Sequence, residues 1–236
     1  VLEHHNLKAF WFIYSNVFQG KLENTEIFRV FRSKYFDNVD DFYNFFFDFF
    51  SKSKYYSNSE DILTPRLIEE YRNRFPFYTY NDSKFRLIRN KVLSRVDYEK
   101  IMESLIQKKG LNKTELSKNL WMSDDDLKYL NSKGHVIGLH SYSHPTSIES
   151  LSHNDQFKEY EKNFLHIKNI CGNSPLSMSH PCDSYNDDTI QILNSLGIRC
   201  GFRANLDHSF EQKKPYTRKL ELPRFDHSII LKSMGR

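Results

Sequence analysis

From residue 121 onward the chain is punctuated with a regularity that few folds can satisfy. Ser123 precedes Asp124, Asp125 and Asp126, an N-cap followed by acids in the first helical turn. Leu127 and Leu130 share one side of that helix, and Gly134 sits where a left-handed stop is expected. His135–His140 (HVIGLH) then reads as a strand. A second helix is predicted from Asn154 to Cys171, with Phe157, Tyr160, Phe164 and Ile167 as its apolar stripe and Gly172 as its end. A short strand at Leu176–His180 follows. Next come a loop and a helix capped by Asn186, with Ile190, Leu193 and Leu196 as its stripe and Gly197 after it. Further strands are expected at Ile198–Arg203 and Leu220–Phe225.

Strand, loop, helix and strand in this order predict parallel βα units. In such folds the active site collects at the carboxyl ends of the strands. That directs attention to His140–His144, Pro181–Tyr185 and Arg224–His227.

The first half reads differently. Lys8–Tyr14 (KAFWFIY) is a short apolar run that suits a buried strand. Residues 20 to about 120 are polar and almost free of Gly, with apolar residues at helical spacing over 23–34, 39–50, 65–74 and 97–108. Pro65 and Pro76 punctuate them. This stretch is expected to be a mostly helical insertion within a single domain.

Composition excludes several classes. Thirty-four basic residues are interleaved with 30 acidic ones, for a net charge of +4, which gives nucleic-acid binding little electrostatic support. Cys171, Cys182 and Cys200 are odd in number and widely spaced, so neither a disulfide framework nor a cysteine zinc site is predicted. Free thiols and the lack of a cationic leader at VLEHHNLKAFWFIY lean towards a cytoplasmic setting and towards a start inside a domain. The richest apolar stretch, Asp41–Phe50, is too short to span a bilayer and holds two Asp. The oligomeric state is not legible.

Three clusters could carry chemistry. His140 and His144, four apart after an apolar strand, could both face one ion, and imidazole suits zinc, nickel, cobalt and iron; ten His also produce such pairs by chance. The loop Ser179–Asp187 contains Pro181 and Cys182 and could offer a backbone N–H to an oxyanion, or be an ordinary turn into the Asn186 cap. Cys182 as a nucleophile lacks an identifiable partner His. Arg224 and Asp226 could orient a catalytic carboxylate or form a surface ion pair.

Taken together, these blocks resemble the polysaccharide deacetylase family, also called carbohydrate esterase family four. WMSDDDLKYLNSKGHVIGLHSYSHP (121–145) is similar to its helix and Gly-His-x-Ile-Gly-x-His-Ser/Thr-x-x-His block, in which the outer His bind the metal. SMSHPCDSYNDDTIQILNSLGIRCGFRA (177–204) resembles the Tyr-Pro-Tyr-Gly-Ser-Tyr-Asn loop with its helix and strand, and ELPRFDHS (221–228) a late Leu-Pro-Arg-x-Asp block. LEHHNLKAFWFI (2–13) is similar to the segment after the family's first helix; no likeness is visible across roughly 20–120. The family's Thr-Phe-Asp-Asp-Gly motif, source of a third metal ligand and the general base, is expected upstream of Val1. Cys182 stands for the usual aromatic, Asp183 for Gly, and Ser179 for an Arg.

The resemblance implies an α/β fold, a distorted (β/α)7-type barrel, and metal-assisted removal of an N-acetyl group from an amino sugar. It implies a divalent ion, zinc first, on His140 and His144; an oxyanion donor at the Cys182 N–H; Arg224 aiming the base; His227 as proton donor; and a substrate wall at Pro181 and Tyr185. Three alternatives stay open: an O-deacetylase or deformylase on a lipid- or nucleotide-linked sugar, a carbohydrate-binding relic of the fold, and an interaction protein working through its Phe-rich stretch.

Overall fold

A computed structural model describes residues 1–74, 78–203, 219–225, 230–231 and 233–235. The chain divides into two compact units, one of residues 1–21 and 122–236, the other of residues 22–121.

The second unit is helical. Its helices are α1 (Asn24–Lys34), α2 (Val39–Ser51), α3 (Pro65–Arg74), α4 (Tyr80–Leu87), α5 (Arg95–Lys108) and the single turn α6 (Lys113–Leu116). The four helices foreseen from periodicity lie within a few residues of their predicted bounds. The aromatic side chains that make this stretch unusual are its interior. Phe31, Phe42, Tyr43, Phe46, Phe50 and Phe85 are at most 2% exposed, and no described phenylalanine of the unit is exposed. Ring pairs such as Phe46–Phe85 at 4.9 Å and Phe42–Phe85 at 5.5 Å pack edge-on, as ring quadrupoles prefer. Two phenols tie α2 and the chain after it to later helix starts. Tyr43 donates to Asp82, which completes the capping box of α4, and Tyr55 donates to Asp97 at the first turn of α5 at 2.6 Å.

The first unit is the α/β body. Its strands are β1 (Phe10–Ile13), β2 (Val136–Leu139), β3 (Ser177–Ser179) and β4 (Cys200–Phe202), with α7 (Asp124–Ser132), α8 (His153–Cys171) and α9 (Asp187–Ser195) between them. All four strands are parallel and lie side by side in chain order. This is the arrangement of the predicted (β/α) barrel class. A parallel bridge from Phe202 to Leu222 continues it where a further strand was expected. Two of these helices begin on the predicted caps Ser123 and Asn186, and α8 begins on Ser152, which the sequence reading did not single out.

The sheet is strongly rolled. A flat sheet would place β1 and β4 about 14 Å apart, three strand spacings. Yet the rings of Phe12 and Phe202 are 5.5 Å apart, and those of Phe10 and Phe202 5.4 Å. The strands between them carry small residues on this concave face. A Cβ on Gly138 would lie 2.6 Å from Ser177 Oγ and 2.8 Å from Phe12 Cδ1. The opposite face is the main core, where Ile137, Leu139 and Met178 meet Leu127 of α7, Tyr160 and Ile167 of α8, and Ile192 and Leu193 of α9.

One detail of the sequence reading shifts. The fully buried line of α8 is Gln156, Tyr160, Asn163 and Ile167, with Phe157 and Phe164 only partly buried beside it. Two polar residues occupy core positions because each has a specific bonding task.

Candidate active site

The carboxyl ends of β1 and β2 are bound together by one side chain. Asn163 of α8, wholly buried, donates from Nδ2 to Ile13 O at 2.9 Å and accepts from the backbone N–H of His140 at 3.0 Å. His140 in turn reaches β3. Its Nδ1 lies 2.7 Å from Ser179 O. A carbonyl oxygen only accepts, so Nδ1 carries the proton and Nε2 keeps the lone pair. Burial pushes the imidazole well down, to about 4, and the neighbouring charges of His144, Arg224 and His180 act in the same direction. At neutral pH His140 is therefore an uncharged ring with one ligating nitrogen, fixed by a bond at the other.

His144 joins it through a tight loop rather than a helical turn. Ser141 and His144 both adopt left-handed backbone, at φ 63° and 54°. Such conformations cost a non-glycine residue energy, so the loop needs support. Ser141 Oγ accepts from His144 N at 3.0 Å. Glu159 of α8 accepts from Tyr142 N at 3.1 Å, Ser143 N at 2.8 Å and Ser143 Oγ at 2.8 Å. Tyr142 O receives the N–H groups of Ser15 and Asn16 beyond β1, and its phenol donates to Gln19. The result is a pair of imidazoles with ring centres 4.9 Å apart, next to Tyr14 at 5.5 Å from His144.

The loop after β3 lies beside this pair. His180 is 1% exposed and donates from Nε2 to Leu220 O at 2.8 Å, the opposite tautomer to His140. Burial holds its pKa below the ordinary histidine value. Its ring stacks on Tyr185 at 4.1 Å. Tyr185 donates to Glu221 at 3.1 Å, and burial together with that carboxylate pushes its phenol up to about 12. Pro181 is buried, whereas Cys182 is exposed. Cys182 and Asp183 are both left-handed, at φ 52° and 59°, and Asp183 meets Arg203 at 3.6 Å. Although the residue is exposed, partial desolvation of its sulfur by the surrounding loop, then Glu149, pushes the Cys182 thiol up, which argues against a thiolate nucleophile. Arg224 donates from Nε to Arg203 O at 2.6 Å, and its charge is felt at His140. His227 and Asp226 lie outside the described residues.

Two imidazoles with ring centres 4.9 Å apart, His140 keeping its Nε2 lone pair, fit two ligand positions of a zinc-type centre. Among the described residues no group of three His, Cys, Asp or Glu side chains is placed to hold an ion. Asn163 and Glu159, which position both rings, escaped the sequence reading. Their only signal was a polar residue recurring on the buried stripe of a long helix.

Residues 98–201 match the polysaccharide deacetylase family. The matched stretch contains β2 and β3, with His140, His144 and the Pro181 loop, and ends in β4. It begins within α5, so residues 98–120 carry a likeness to polysaccharide deacetylases that their sequence does not display as a motif. Among solved structures, the chain is similar to the deacetylase PplD of Streptococcus pyogenes in complex with acetate (19% identity, TM-score 0.41, 59% of this chain and 66% of that one). It is also similar to a CE4 family pseudoenzyme of Bacillus anthracis (19%, TM-score 0.31, 35% and 28%) and to the BpsB deacetylase domain of Bordetella bronchiseptica (14%, TM-score 0.37, 45% and 49%). The chain thus spans less than two thirds of each of these. No curated protein matches it. Among the described residues no helix is long and apolar enough to cross a membrane.

Proposed function

We propose that the protein is a metal-dependent hydrolase that removes the N-acetyl group from an amino sugar in a surface glycan or its precursor. The observation that carries this reading is the His140–His144 pair, with His140 locked through Nδ1 onto Ser179 O inside a stretch that matches the polysaccharide deacetylases.

In this reading His140, through Nε2, and His144 hold a divalent ion, zinc first. When bound, the ion supplies Lewis-acid polarisation of the acetyl carbonyl and lowers the pKa of a water molecule. The chain's own groups do the rest. The backbone N–H of Cys182 faces the oxyanion that forms when water adds to the carbonyl carbon. Arg224, fixed at Nε by Arg203 O, keeps the base carboxylate ionised and aimed. Pro181 and Tyr185 form a wall against the sugar. His227 gives the leaving amine its proton as the C–N bond breaks, so that acetate and a free amino sugar result.

The test is acetate release from N-acetylglucosamine oligomers by the full-length protein purified with zinc, beside its His140→Ala variant. The reading expects release by the parent and loss of it in the variant with the fold retained. Equal release by both proteins would exclude the assigned centre.

A further inference from the structure

Whole-chain charge balance conceals a local imbalance in the helical unit. Residues 83–96 hold five basic side chains, Lys84, Arg86, Arg89, Lys91 and Arg95, and no acidic one. The other arginines of the unit show what is normal there. Arg29, Arg66, Arg72 and Arg95 each pair with a glutamate three or four residues away, at 2.9–3.2 Å. Arg32, Arg86 and Arg89 form no ion pair with any described residue, although all three are half-buried.

The charges of all three act on one side chain, Tyr98. Tyr98 of α5 packs between Phe28 of α1, at 5.7 Å, and Phe85 of α4, at 6.2 Å. Arg32 lies one helical turn beyond Phe28. Arg89 lies one turn beyond Phe85, where α4 widens into a π-helical turn, Ile88–Val92. Arg86 is adjacent to Phe85, with its guanidinium 4.0 Å from the ring centre of Tyr78. Burial raises the Tyr98 phenol, and the positive charges of Arg89, Arg32 and Arg86 all act against that rise. Acids on these elements are already engaged: Asp82 accepts from Thr79 and Tyr43 and closes the cap of α4, and Glu99, which also acts on the Tyr98 phenol, pairs with Arg95 at 3.0 Å. Arg86 Nε and Ser83 Oγ, one turn apart on α4, are buried donors with no acceptor.

Among the described residues, a buried N–H and a buried hydroxyl without acceptors, beside three guanidiniums with no acidic partner, of which only Arg89 finds a neutral one, Asn90 Oδ1 at 2.8 Å, describe a site that lacks its anion. We propose that Arg32, Arg86, Arg89 and Ser83 form a binding site for a phosphate group, either free or carried on a sugar. Guanidinium forks match phosphate oxygens in pairs, which ammonium groups do not. This site is independent of the deacetylase reading, because none of its residues belongs to the His140–His144 unit.

The test is calorimetric titration of the full chain with inorganic phosphate and, separately, with glucose 1-phosphate, at low ionic strength. Saturable binding of one ion per chain is expected, weakened about tenfold for each guanidinium removed in Arg86→Ala and Arg89→Ala. Arg72→Ala, which removes only an exposed pair with Glu69, should bind as the parent does. Arg86→Lys keeps the charge if Arg86→Ala fails to fold, and it too should bind more weakly. Tighter binding of glucose 1-phosphate assigns the site to sugar-borne phosphate, and equal binding assigns it to the free ion. No saturable binding of either, or equal weakening by Arg72→Ala, overturns the proposal.

Discussion

His140 and Ser179, on neighbouring strands, are joined by a 2.7 Å bond from an imidazole Nδ1–H to a backbone carbonyl. That one contact sets the tautomer, orients the ring and leaves Nε2 as the ligating atom. It also ties the start of the loop after β2 to the end of β3.

The support behind this contact is testable through Asn163. Its amide bridges β1 and β2, and its removal takes one of two donors from Ile13 O, which keeps only the His140 N–H at 3.1 Å, and takes an acceptor from that N–H. Asn163→Leu should cost about 1–3 kcal/mol in urea unfolding, read as a lower midpoint at unchanged slope. An unchanged midpoint would mean that water or a neighbour replaces the amide without loss.

Glu159 holds the left-handed loop that presents His144. Glu159→Gln keeps the shape but leaves Ser143 N and Tyr142 N sharing weaker acceptors. Zinc affinity should fall about 10–100-fold, in line with other groups that orient metal ligands, while the melting temperature changes little. Parent-like zinc affinity would separate loop geometry from ligation.

Gly138 permits the roll of the sheet. A methyl group there would meet Ser177 Oγ at 2.6 Å and the Ser177 carbonyl at 2.8 Å, and the carbonyl is backbone that cannot swing away. Gly138→Ala should destabilise the chain by about 1–3 kcal/mol. Thermal denaturation showing no loss would imply a flatter sheet than the Phe12–Phe202 contact requires.

The buried His180 predicts an acid limb in stability. Burial holds its folded pKa below the ordinary value of 6.5, so below that pH the unfolded chain binds more protons than the folded one. Its contribution is fully present above pH 6.5 and is lost as pH falls from there towards the folded value. Unfolding midpoints in the presence of chelator should drop over this range, and His180→Asn should flatten the drop. An identical pH profile in the variant would assign the acid limb to other groups.

Much of this architecture was legible in the residues. Helix starts at Ser123 and Asn186 follow from side-chain chemistry that acts locally, and so do strands such as HVIGLH. The parallel order followed from their alternation. The aromatic run of α2 could have been an interaction surface or a private core, and burial of Phe42, Phe46 and Phe50 places those rings in the core. What local pattern could not give was long-range bonding. Asn163 to Ile13 spans 150 residues, and the tautomers of His140 and His180 depend on carbonyls 39 and 40 residues away. The unpaired arginines were hidden for a related reason: a net charge near zero says nothing about which charges find partners.

Metal binding by the His140–His144 pair is the central claim. The direct measurement is zinc titration of the full-length protein by calorimetry, beside His140→Ala, His144→Ala and the double variant. Ring centres 4.9 Å apart and a fixed Nε2 lone pair predict one zinc site in the parent, sharply weakened by either single change and absent in the double variant. Parent-like zinc stoichiometry and affinity in the double variant would contradict the account.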